Sequence, residues 1–99
     1  MGPPQYLYKV TEIEPAQYFD RIPDHVLLRI HVEPVKERID IKKPDSRAIE
    51  IHTTLAPDLG LPIMQIFKRS EIPQLKVGQI IRCQVNDQGQ MKYVARYGE

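Results

Sequence analysis

The sequence is short of nearly everything that advertises a chemistry. It has one cysteine, Cys83, so no disulfide can close within the chain. With no apolar N-terminal run of secretory length, that predicts a reducing, cytoplasmic setting. The opening "MGPPQ" does not read as a signal peptide. No stretch approaches the roughly 18 apolar residues of a membrane span, so no membrane association is expected. The five glycines form no phosphate-cradling loop; Gly60, Gly78 and Gly89 stand alone, as turn glycines do. Net charge is only +1, which excludes a polycation; binding to nucleic acid would have to come from local patches.

The metal and catalytic vocabulary is as thin. His25, His31 and His52 show no HxH or HxxxH spacing, and CxxC is absent. His31 and His52, with Glu33 or Glu50, fall on outward strand faces. They are weighed as a metal site against the plainer reading of solvated histidines, and the plainer reading is preferred. Cys83 falls on a predicted core face, which suits a structural thiol better than a nucleophile. The paired carboxylates Glu12/Glu14 and Glu33/Glu37 read as surface charge. Neither an enzyme nor a cofactor is expected.

What is present is proline and strand alternation. Nine prolines recur along the chain. Proline is excluded from helix interiors and central strands, so a helical bundle is improbable. Residues 1–99 are expected to form a single β-barrel domain. "QYLYKVTEIE" alternates, with Tyr6, Tyr8 and Val10 on one face and Leu7, Lys9 and Thr11 on the other. Pro15 to Tyr18 suits one helical turn with proline in first place. "HVLLRIHVEPV" is the clearest strand, with Val26, Leu28, Ile30 and Val32 opposed to Leu27, Arg29, His31 and Glu33; Pro34 ends it or puts it at a sheet edge.

"KERIDIKKPDSR" reads as a projecting β-arm, turned at Pro44-Asp45 and returning as "AIEIHTTL". The 61–72 segment fits a short helix or an irregular strap, although Leu61, Ile63, Gln65 and Phe67 also keep strand spacing. The order points to an all-β fold. It is expected to be a small five-stranded OB-like or similar half-open barrel, with that helix or strap between strands three and four. A β-sandwich is the runner-up.

The chain closes on a hairpin, "QIIRCQVNDQGQMKYVARYGE". A three-residue loop at 87–89 with Gly89 left-handed pairs Val85 with Met91, Gln84 with Lys92, Cys83 with Tyr93, Arg82 with Val94 and Ile81 with Ala95. Ile81, Cys83, Val85, Met91, Tyr93 and Ala95 then face inward. Ile80, Arg82, Gln84, Lys92, Val94 and Arg96 face outward, a basic face with no acid in it.

Cations beside aromatics suit single-stranded nucleic acid, whose phosphates need charge and whose bases need flat surfaces. The candidate cations are Arg29; Lys36, Arg38, Lys42, Lys43 and Arg47 on the arm; and Arg82, Lys92 and Arg96 on the hairpin. Tyr6 and Tyr8 share a face that is either a stacking platform or a wall of the barrel, and Tyr18 and Phe19 are further stacking candidates. The expected function is non-specific binding of single-stranded DNA or RNA, as DNA replication uses. The alternative is a β-rich protein-protein interaction module or accessory subunit. Ile80 and Val94 within the basic face suit a protein interface, and a homodimer is expected.

Overall fold

The structure is a computed structural model that describes residues 4–35 and 56–97. The projecting arm and its return strand therefore lie outside the described residues. Within those described, six strands run in order: β1 (Gln5–Ile13), β2 (Gln17–Tyr18), β3 (His25–Pro34), β4 (Ile63–Lys68), β5 (Ile80–Val85) and β6 (Met91–Arg96). Their pairings are antiparallel. β3 has β1 and β2 along one edge and β4 along the other, while β1 pairs β5 and β5 pairs β6. β4 and β6, at the two ends of this path, meet through Gln65 Oε1, which accepts from the Tyr93 N–H at 2.9 Å. The sheet thus curls into a mostly-β half-barrel whose strand order is that of the OB barrel.

Alternation builds the core. Val26, Leu28 and Ile30 on β3 point inward, with Ile63 and Phe67 across on β4 and Ile81, Cys83 and Val85 on β5. Tyr8 and Val10 complete the wall from β1. Each large aliphatic side chain buried this way stabilises the fold by about 1.5–3 kcal/mol. Two irregularities keep β1 and the chain after it on the core. A bulge between Val10 and Glu12 restores Ile13 to the inner side, opposite Ile30. Then Pro15, which lacks an N–H, interrupts the edge, and Gln17 and Tyr18 resume pairing with Leu27 and Val26. The helical turn expected over 15–18 is therefore absent: Gln17–Tyr18 is a two-residue strand, and Pro15 and Ala16 belong to no regular element. The ladder already runs through Glu14, whose N–H donates to Arg29 O at 3.0 Å, so no turn of helix can form there.

The 61–72 segment also differs from expectation. Residues 63–68 are β4, and the helical piece among the described residues is a 3-10 turn at Arg69–Glu71. Strand spacing wins because Ile63 and Phe67 both find the core while β3 offers a free edge.

The last hairpin turns as the sequence predicts. Gly89 has φ +77°, the Asn86 N–H donates to Gln90 O, and Val85, Gln84 and Cys83 oppose Met91, Lys92 and Tyr93. Beyond Cys83 the register shifts. Arg82 opposes Ala95 and Ile81 opposes Arg96, so Val94 is the extra residue of a bulge. Arg96 thereby moves to the Ile81 side of the sheet, and the predicted outward row of Arg82, Lys92 and Arg96 is broken. Among the described residues no helix is long and apolar enough to cross a membrane.

Candidate nucleic-acid interface

The outer face of β3 and β4 is the least expected surface. Because Val26, Leu28 and Ile30 point inward, His25, Leu27 and Arg29 point outward. Opposite them stand Lys68, Ile66 and Met64. Met64 and Ile66 are 53% and 52% exposed, an unusual fate for apolar residues in mid-strand. No carboxylate occupies any of these six positions. His25 Nδ1 and Arg29 Nε are enclosed there with no hydrogen-bond partner; native folds keep few such atoms. From Met64 to Lys68 the track is on the order of 13 Å long, at ~3.3 Å per strand residue.

At the Lys68 end, β2 and the 3-10 turn come together. The Arg69 N–H donates to Asp24 O at 2.8 Å, which fixes the turn against the start of β3. The Arg69 guanidinium lies 4.7 Å over the Tyr18 ring, a cation–π contact. Tyr18 is nevertheless 65% exposed, so the stack stands in solvent as a flat, charged shelf; opposing Val26, it lies at the end of the barrel on the other side of the sheet from Leu27 and Arg29.

At the Met64 end, β4 and the hairpin tip enclose an open groove of about 660 Å³, walled by Leu61, Met64 and Met91 and by the amides of Gln65, Gln84, Asn86, Gln88 and Gln90, with Lys92 at its side. Asn86 organises the tip. Its Oδ1 accepts from the N–H groups of Gln88 and Gln90 at 3.0 and 2.9 Å, and its Nδ2 donates to Gln90 Oε1 at 3.0 Å. The two methionines and the amides converge only in three dimensions, and no local pattern marks them in the sequence.

The predicted site residues scatter. Arg29 and Lys92 face outward as expected, on the β3–β4 face and beside the groove. Arg82 and Arg96 are both engaged in interactions of their own, and Arg96 has left the outer row. Tyr8 is corrected outright: it is 1% exposed, and its hydroxyl donates to Pro57 O at 2.8 Å. A ring held at both ends inside the core cannot take a base. Burial, with help from Cys83, Tyr6 and Asp58, pushes its phenol up to about 12. Tyr6, half-buried against the same core, is wall rather than platform. Among the described aromatics, Tyr18 keeps the most open face. Lys36, Arg38, Lys42, Lys43 and Arg47 lie outside the described residues. Ile80 is half-buried opposite Lys9, and Val94 is the exposed bulge residue.

His31 Nε2 donates to Glu14 Oε2 at 2.8 Å and lies 3.6 Å from Glu12 Oε2. The β1 bulge creates this bridge by setting Glu12 beside His31. It ties β1 to β3. His52 and Glu50 lie outside the described residues, and no group of three potential ligands gathers among those described. Cys83 is wholly buried, and burial raises its thiol to about 12, far from reactive. Searches against protein-family models, curated proteins and solved structures return no match to this chain.

Proposed function

We propose that the protein binds single-stranded nucleic acid along the outer face of β3 and β4. The observation that carries the reading is the stretch of that face from His25 to Arg29 and from Met64 to Lys68: Arg29 and Lys68 among the exposed Met64 and Ile66, with no carboxylate at those six strand positions. Cations contact phosphates, and the apolar side chains offer surface to unstacked bases. The architecture supports this by analogy, since OB barrels use the corresponding pair of strands for oligonucleotides and oligosaccharides. A single strand suits the site better than a duplex, because apolar side chains meet base faces only where bases are unpaired.

The test is a fluorescence-anisotropy titration with single- and double-stranded oligonucleotides at two salt concentrations. The single strand binds more tightly, and log K falls with log salt by about 0.7 per phosphate contacted. A salt-independent response, or no binding, overturns the reading.

The exposure of Met64 and Ile66 also favours a second reading, a protein partner docked on the same face. That reading gains if oligonucleotides fail to bind while Met64→Glu still abolishes capture of a specific protein.

A further inference from the structure

The groove at the Met64 end deepens the nucleic-acid reading and rests on it. Three of its five amides, Gln65, Asn86 and Gln90, are not free to turn either way. A backbone N–H can only donate, so Gln65 must present Oε1 to Tyr93. Asn86 must present Oδ1 to two backbone N–H groups, which turns its Nδ2 toward Gln90 and commits Gln90 Oε1 as acceptor. What Gln65 and Gln90 have left uncommitted are their NH₂ groups. Lys92 stands at the side of the groove as a cation, and no carboxylate stands among the described residues of the lining. At Gln65 and Gln90 the groove therefore presents fixed donors, with methionine walls on which a flat ring can rest.

We infer that this groove receives one unpaired base and selects for keto edges, such as the O4 of thymine or uracil, over amino edges such as the N4 of cytosine. Oxygen at that position accepts from the fixed NH₂ groups. An exocyclic amine there meets donors with a donor and leaves both unsatisfied. Lys92 takes the flanking phosphate. The protein so read binds single strands broadly and prefers thymine- or uracil-rich ones.

The test compares oligothymidine with oligocytidine of equal length, at one salt concentration, on the full chain. The wild type prefers oligothymidine about tenfold, the scale of one base-edge contact. Gln65→Glu and Gln90→Glu each keep the acceptor oxygen that Tyr93 or Asn86 needs and remove the NH₂, so both variants should fold. The added charge weakens both oligonucleotides, so the ratio is the readout, and it falls toward one. Lys92→Met lowers both affinities and leaves the ratio intact. A wild-type ratio near one, or a ratio unmoved in both glutamate variants, overturns the inference while leaving single-strand binding standing. Binding of neither oligonucleotide overturns the underlying reading, and the inference falls with it.

Discussion

The two faces of the β3–β4 pair are made from the same two strands, residue by alternate residue. Ile30 and Ile63 point inward and are essentially inaccessible, whereas Ile66, three residues along from Ile63, is half exposed. The inner face needs no explanation beyond the removal of apolar area from water. The outer face is not accounted for by folding, since an exposed isoleucine and methionine add little to stability. Apolar residues kept where they stabilise nothing are the better guide to function, and here they sit among cations.

That contrast can be broken by substitution. Ile30→Ala leaves a cavity in a packed wall and should lower unfolding free energy by about 2–5 kcal/mol, read by chemical denaturation. Ile66→Ala, on the same strand pair, should change it by less than about 0.5 kcal/mol. Equal effects would mean that the outer face is covered by packing and is not a site.

Charge reversal at Arg29 and Lys68 should act the other way. Single-strand affinity should fall by about 1–3 kcal/mol, and the salt slope should become shallower by about 0.7 for each phosphate no longer held. The thermal midpoint should move little. An unchanged salt slope would remove this face from the phosphate path.

The tip that holds the groove depends on Gly89 at φ +77° with open space around it. Gly89→Ala is strained by its backbone alone and should lose about 1 kcal/mol of stability. It should also blunt any preference between oligonucleotides, because Asn86 organises the groove through this same turn.

The smallest effect near neutrality lies in the core. Tyr8 and Cys83 both titrate near 12 when folded, against about 10 and 9 when exposed. An unfolded chain releases these protons first, so stability is intact below pH 9 and falls as pH rises from 9 toward 12. A denaturation series across that range checks the sign. Cys83 should also resist a thiol reagent at pH 8 until the chain unfolds.

Much of the inner face was legible in the sequence. Val26, Leu28 and Ile30 alternate cleanly, and the pairing of Cys83 with Tyr93 followed from Gly89 alone. The site was less so. Arg29 and Lys92 were identifiable as outward cations, but Met64 and Ile66 lay in a segment whose period suits helix and strand alike. Tyr8 could not be told from a stacking residue by alternation, since a barrel wall and a binding platform share the period of two. The two bulges, after Val10 and at Val94, left no local signal, and each moved charged residues: one set Glu12 beside His31, the other carried Arg96 to the far side of the sheet.

By itself, the sequence determined that this chain is built of short strands, which residues alternate inward, and where the last hairpin turns, because those depend on nearest neighbours and on backbone freedom at single residues. Only the tertiary structure decided that residues 63–68 become a barrel strand, that Tyr18 lies beneath Arg69, and that amides from β4, β5 and the tip share one groove. Each of those joins residues distant in sequence, and which free edge or open face a segment meets is settled only when the whole sheet curls.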